Sequence, residues 1–345
     1  MAYGSQPHYH ASVPSGAKLV KDAPIFIVGM NGSGTTMLAD SLRRHPQLYV
    51  LPKESKVLPY FIAERSRFGD LARAQNRRRL ADEIGRAMAY WHANGKKPLV
   101  LRDEELADCA TFGEVLSRIY EHLAARQGKK RWGDKSPMNV QHIGALAEQV
   151  PASKFIHIIR DGRDAAQSFH RRWKFDPRHT IWRWKCVVRE GRRQAASVGA
   201  GRYLEVRYEA LTAAPEIELR RVCEFAELPF DAAVLESSMR FMDPKNPLAG
   251  AGRIVRNSEK WRTYFSASVV RSLEAVAGGL LADLGYPVEQ AGDIDLSALQ
   301  RRFLAVRDAL ARTPYFFRDY GVLLAIPRYL RYVSGAMKQR SVSRY

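Results

Sequence analysis

Cysteine is scarce in this chain: Cys109, Cys186 and Cys223 are the only three in 345 residues, and they stand far apart. So few thiols, so widely placed, support neither a disulfide framework nor a zinc-ligand spacing. Long apolar runs are also missing. No stretch is long enough to span a bilayer, and residues 1–21 have no apolar core of the signal-peptide type. These absences together predict a soluble, cytoplasmic protein. Acidic residues are outnumbered, 36 Asp+Glu against 55 Lys+Arg, which leaves a formal charge of +19. The excess favours anionic partners, whether nucleotides, nucleic acid, acidic glycans or a membrane surface, without choosing among them. One further absence is local. After the last glycine of GMNGSGTT stands Thr35, where a nucleoside-triphosphatase loop carries Lys to reach the β- and γ-phosphates. ATP hydrolysis is thereby disfavoured.

What is present is a globular composition, 46% hydrophobic and 26% charged, in a chain long enough for one large α/β domain or two unequal ones. The organising stretch is Pro24 to Arg44. Ile25 to Val28 is a short apolar run, Gly29 to Gly34 supplies three glycines, and a helical pattern begins at Thr35 and Thr36. Strand, phosphate loop and helix are expected in that order. A loop entering a helix exposes unpaired backbone N–H groups at the positive end of the peptide dipoles, so Asn31, Gly32, Ser33, Gly34, Thr35 and Thr36 are candidate anion ligands. Gly32 and Gly34 permit the backbone to close round the anion, and the hydroxyls donate further bonds.

Along the chain, residues 1–21 read as a loose arm, and His45 and Pro46 end the first helix. Leu48 to Leu51 is expected as a second strand, whose end leads into PKESKVLP and so brings Glu54 and Lys56 towards the anion site. Residues 61–127 read as a mainly helical insertion. Lys129 to Trp132 returns to the sheet and leads into GDKSP. KFIHII, Lys154 to Ile159, reads as an interior strand, and RDGRDAAQS takes the chain from it into a helix. Trp173 to Val198 is expected to be helical and basic, Tyr203 to Arg207 a strand, 241–257 a long loop, and a helix from Asn257 or Ser258 to about Leu284. The segment 301–345 holds 10 Lys+Arg against 2 Asp+Glu, interleaved with aromatic and aliphatic residues. It reads either as a terminal helix packed on the domain or as a basic amphipathic element that touches a membrane or a lipid-bearing substrate.

Four segments converge on one sheet edge: the glycine loop, ESK, DKSP and RDGRDAAQS. Arg160, at a strand end, and Ser168, on the following helix, are placed to clamp a second phosphate, although Arg160 also has Asp161 and Asp164 within reach as structural partners. In this order the segments resemble the sulfotransferases that use 3′-phosphoadenosine 5′-phosphosulfate (PAPS), in the branch with the protein-tyrosine sulfotransferases and bacterial relatives. The resemblance implies a three-layer α/β, P-loop-like fold with a central, mainly parallel sheet. The PAPS-binding domain would span 22–290 and a basic aromatic extension 291–345. It also implies that Ser33, Gly34, Thr35 and Thr36 bind the 5′-phosphate, that Arg160 and Ser168 bind the 3′-phosphate, and that Tyr208 borders the adenine. By the same resemblance Glu54 is the general base, Lys135 meets the transferring sulfonate, and Arg253, Arg256 and Lys260 belong to a late loop over the cofactor. The chain departs from the family at Gly32, where Arg or Lys usually precedes the serine.

The reaction implied is sulfonate transfer from PAPS to an acceptor hydroxyl, leaving adenosine 3′,5′-bisphosphate and requiring no metal. The expected acceptor is a carbohydrate, glycolipid or secondary metabolite, because no signal anchor is seen; a peptide or protein tyrosine is the alternative. Two other readings compete. A kinase-like enzyme is opposed by the missing lysine. A nucleic-acid-binding module would use the 11 Lys+Arg between Arg160 and Arg193, which face only 4 Asp+Glu, yet no nucleic-acid-binding motif accompanies them and no nucleic-acid partner is expected.

Overall fold

Ile25, Phe26, Ile27 and Val28 are all buried, a pattern that suits a strand covered on both faces. The computed structural model describes residues 23–55, 58–92, 99–236, 254 and 257–315, and it places this run, β1 (Ile25–Val28), at the centre of a sheet. The other strands are β2 (Leu48–Val50), β3 (Arg131–Lys135), β4 (Lys154–Ile159) and β5 (Tyr203–Arg207), in the order β2-β3-β1-β4-β5. Every pairing among them is parallel, so their carboxyl ends share one edge. The register sets Ile27 beside Lys135 on one side and Ile156 on the other.

Helix α1 (Thr35–Arg43) follows β1, and α2 (Leu58–Ala63), α3 (Ala74–His92), α4 (Asp103–Leu106) and α5 (Phe112–Ala125) lie between β2 and β3. Next come α6 (Ile143–Gln149) before β4, then α7 (Gly162–Trp173) and α8 (Pro177–Ala195) before β5. After β5 run α9 (Tyr208–Ala213), α10 (Pro215–Phe225), α11 (Trp261–Tyr264), α12 (Ala267–Asp283) and α13 (Ala298–Ala311). Because strand side chains alternate, Ile25 and Ile27 enter one core with Leu38 and Leu42 of α1 and Leu219 and Val222 of α10. Phe26 and Val28 enter the other, with Ile84 of α3, Ile119 of α5, Trp184 of α8 and Leu273 of α12. Phe26 stacks on Phe155 at 5.4 Å and meets Trp132 edge-on at 5.8 Å, which ties the three central strands together through one side chain. The result is a three-layer α/β fold around a parallel sheet.

Several local expectations need correction. The basic helix expected over Trp173 to Val198 is α8 with narrower bounds: α7 stops at Trp173, Lys174 takes a left-handed φ of 60°, and Asp176 accepts hydrogen bonds from the Arg178 and His179 amides to start α8 at Pro177. An Asp-Pro pair is a strong helix start, and here it sets the first turn of α8 four residues after Trp173. The late helix is likewise two, α11 and α12, with extended backbone at Phe265 and Ser266 between them. Residues Pro137–His142 form a 3-10 turn ahead of α6. No helix among the described residues is long and apolar enough to cross a membrane. The N-terminal arm, Lys56, Arg253, Arg256 and the segment 316–345 lie outside the described residues.

His157 shows how β4 handles a polar residue inside the sheet. The Tyr203 hydroxyl donates to Glu205 at 3.0 Å, so its oxygen accepts from His157 Nδ1 at 2.6 Å, and Nε2 is buried with no partner. Protonation would place an N–H there without an acceptor. Burial accordingly pushes the imidazole down to about 4, with Arg192 adding to the effect and Glu205 opposing it. Between about pH 6.5 and 4 the unfolded chain therefore binds more protons than the folded one, and stability falls as pH falls. The contribution lost across that window is on the order of 3 kcal/mol. Urea unfolding of the wild type and His157→Val at pH 7 and pH 4.5 should show a smaller pH difference in the variant; equal differences would remove His157 from the account.

Candidate active site

The glycine loop carries the chain from β1 to α1. Gly32 and Gly34 adopt φ of 88° and 100°, values that favour glycine, and the Ser33 amide donates to the Met30 carbonyl at 3.1 Å. Gly29 N–H donates to the Pro137 carbonyl at 3.0 Å, which fastens the start of the loop to the segment after β3. No side chain caps α1, so its first amides are left for an anion. Ser33 and Thr35 are buried, Asn31, Gly34 and Thr36 half-buried, and Gly32 exposed. A Cβ on Gly34 would stand 2.5 Å from the Tyr208 ring, and one on Gly32 would stand 3.0 Å from the Phe169 ring. The latter contact, together with the positive φ, accounts for glycine where the family resemblance expects Arg or Lys.

Arg160 stands at the end of β4, the strand next to β1. Trp184 Nε1 donates to its carbonyl at 2.9 Å, which fixes the backbone. Its guanidinium lies 4.4 Å from the centre of the Tyr208 ring and donates to the Gly32 carbonyl at 3.4 Å and the Asn257 carbonyl at 2.9 Å. One nitrogen also meets Asp164 at 3.3 Å, while Nε is buried with no partner. Asp164, itself fully buried, accepts from the Glu259 and Trp261 amides at 2.8 and 3.0 Å. It thus ties the late loop to α7 and brings Lys260 beside Arg160. Lys260 reaches solvent, yet partial burial and then the charges of Arg171 and Arg160 push its ammonium below the usual lysine range. Ser168 is half-buried on α7, one turn beyond Asp164 on the same side of the helix. Asp161, the other carboxylate within sequence reach of Arg160, instead caps α7 through the Arg163 amide at 2.8 Å and pairs with the Arg163 guanidinium at 2.8 Å.

On the other side of β1, Lys135 Nζ lies 3.3 Å from Glu54 Oε1, with the lysine buried and the glutamate half-buried. Their neighbours hold this pair in place. The Ser55 amide donates to Ser136 Oγ at 3.0 Å, the two serine hydroxyls are 3.0 Å apart, and buried Asp134 accepts from Tyr120 at 2.9 Å and Asn139 at 3.2 Å. Burial pushes the Asp134 carboxyl up, against the bonds from Ser136, Tyr120 and Ser55. The structure therefore brings Glu54 to Lys135, and Gly32, Arg160, Tyr208 and Lys260 to one another. Reading the sequence missed the Asp164 tie and the Ser55–Ser136–Asp134–Tyr120 network. The only available signal for the first was the i, i+4 spacing of Arg160 and Asp164, and for the second there was none.

Residues 24–232 match the profile described as the Sulfotransferase family. The chain belongs to that family. Among its relatives is Protein-tyrosine sulfotransferase A of Caenorhabditis elegans, 25% identical over 297 residues that cover 81% of this chain and 71% of the relative. Protein-tyrosine sulfotransferase 1 of Danio rerio is 28% identical over 303 residues, covering 80% and 78% respectively. The solved sulfotransferase domain from the Synechococcus PCC 7002 olefin synthase shares the fold, with a TM-score of 0.50 and 24% identity over 77% of this chain and 97% of that domain. The chain is thus a PAPS-dependent sulfotransferase. The residues present fit that co-substrate. A glycine cradle with uncapped amides and a buried guanidinium nitrogen without a partner offer two separate places for phosphate charge. The Lys260 ammonium feels the positive charges of Arg171 and Arg160 and the negative charge of Asp164, an arrangement that a further anion would relieve.

Two substitutions test the cradle by calorimetric titration with adenosine 3′,5′-bisphosphate. Arg160→Ala is expected to weaken binding about 10- to 100-fold, the worth of one charge-assisted contact pair. Gly34→Ala is expected to lose a comparable amount through its positive φ and its collision with Tyr208. Wild-type affinity in the arginine variant would remove Arg160 from the phosphate site.

Proposed function

We propose that this sulfotransferase moves the sulfonate of PAPS onto a phenolic hydroxyl, that of a tyrosine in a peptide or protein, with Glu54 as general base and Lys135 as the cation at the transferring group. The observation that carries the reading is the Glu54–Lys135 pair, which joins the only two proposed catalytic side chains at 3.3 Å on the sheet edge that also holds the glycine loop. An acceptor oxygen seated beside this pair gives its proton to Glu54 as the new O–S bond forms. The bond from sulfur to the bridging oxygen breaks in the same displacement, and the electrons stay with the phosphate. Charge grows on the sulfonate and leaving oxygens during this step, and a fixed ammonium with aligned backbone donors stabilises it without reorganising. Ser33, Gly34, Thr35 and Thr36 take the 5′-phosphate end, and Arg160, Ser168 and Lys260 the 3′-phosphate. Tyr208, buried against Gly34 and Arg160, stands between the two and borders the adenine.

A tyrosine acceptor takes precedence over a carbohydrate, glycolipid or secondary metabolite for two reasons. Several relatives are named protein-tyrosine sulfotransferases. A phenol also surrenders its proton to a carboxylate more readily than a sugar alcohol does. The expectation of a sugar or lipid acceptor leaned on a missing signal anchor, which bears on location and not on acceptor chemistry.

Glu54→Gln should lower kcat by about 10²- to 10⁴-fold while leaving bisphosphate affinity within twofold of wild type. Incubation with PAPS and tyrosine peptides, simple phenols, sugars and lipid-linked sugars, read as a mass gain of one SO₃, should label the phenolic acceptors. Transfer confined to sugars or lipids would overturn the acceptor, and an unchanged kcat in the variant would overturn the base.

A further inference from the structure

Helix α13 packs on the domain through one side and leaves the other unusual. Ala305, Asp308 and Ala309 are buried. Asp308 accepts from the Asp176 amide at 2.8 Å and meets His179 Nδ1 at 2.6 Å, and Arg301 lies over Trp182 at 5.3 Å. Those contacts fix the rotation of the helix about its axis. At 100° per residue, Leu299, Phe303, Val306 and Leu310 then fall within about 60° of one another on the outward side. Leu299 is 78% exposed, Phe303 66% and Leu310 57%, and Ile294, just before the helix, is 60%. Half of the eight large hydrophobic residues exposed among the described ones thus lie in one span of 17, Ile294 to Leu310. The stripe has a cationic rim: Arg302 is exposed on one flank, and Arg307, which pairs with Asp176 at 2.9 Å, stands on the other.

We propose that this face of α13 docks on an anionic lipid surface. The charge pattern selects that partner over the alternatives. Asp308 is the one acidic residue of α13, and it is spent on His179 and the Asp176 amide, so the outward face carries no carboxylate. A second copy meeting this stripe would set its own Arg302 against this one and would offer no carboxylate from its own α13 in exchange. The 30 residues that follow, 316–345, hold six Lys+Arg against one Asp and so add to the positive charge an anionic surface would meet. Asp293 and Asp295, near the start of the helix, are already paired with Lys185, and Asp293 also with Arg189. Apolar side chains flanked by arginines suit an interface where acyl chains lie beneath anionic headgroups. None of Leu299, Phe303 and Leu310 belongs to the glycine loop or the Glu54–Lys135 pair, so their replacement leaves those groups in place.

The full chain should sediment with vesicles of phosphatidylcholine containing about one-third phosphatidylglycerol and remain in the supernatant with phosphatidylcholine alone. The triple variant Leu299→Ser, Phe303→Ser, Leu310→Ser should lose about tenfold or more in partitioning, and Arg302→Gln about fivefold. The substituted side chains are exposed, so both variants should keep the wild-type melting temperature and bisphosphate affinity, which checks that they fold. Three results would overturn the proposal: no binding of the wild type to anionic vesicles, equal binding by the triple variant, or a wild-type dimer that the triple variant dissolves.

Discussion

Asp164 is the residue on which the geometry around Arg160 rests. It is a buried carboxylate that accepts two backbone amides of the late loop and one nitrogen of Arg160. A buried carboxylate without such partners would be too costly to keep ionised, so loop, helix and arginine are ordered together or not at all. Burial does push its carboxyl up, and Arg160 and the two amides oppose that shift. The consequence is structural and functional at once. The guanidinium is held with one nitrogen on the glycine loop, another on the late loop and its Nε still without a partner.

The second centre, Glu54 with Lys135, depends on a different set of bonds. Its two residues come from the ends of β2 and β3, adjacent parallel strands with Tyr49 opposite Trp132. Ser55 and Ser136, one position beyond each, latch those strand ends together. Beneath them Asp134 bonds to Tyr120 of α5 and to Asn139, so a helix from the segment between β2 and β3 supports the pair from below. Such an arrangement holds the ion pair without asking two flexible side chains to find each other in water.

Much of this was legible in the sequence because the signals are local. An apolar run buried on both parities, a glycine-rich turn and a helix start lie within twenty residues, and the periodicity of each needs no partner to be read. KFIHII and YLEVR were legible for the same reason. The helix after Trp173 was legible as well, and the Asp-Pro pair at Asp176 marks the start that its basic pattern alone placed a few residues early. The Asp134 network left no trace, because its members, Ser55, Tyr120, Asp134, Ser136 and Asn139, are scattered over 85 positions and ordinary in type. Gly32 is a middle case: its departure from the family pattern is visible in the sequence, but its positive φ and the Phe169 ring that crowds a Cβ there are not.

By itself the sequence determined the strand-loop-helix, the parallel α/β class, the family and its co-substrate, since each follows from short-range pattern or from motifs in order. The tertiary structure alone decided which carboxylate answers Arg160, that Glu54 lies on Lys135, and that α13 turns apolar side chains outward. Those outcomes depend on strand order and helix rotation, which long-range packing sets and no run of neighbouring residues encodes.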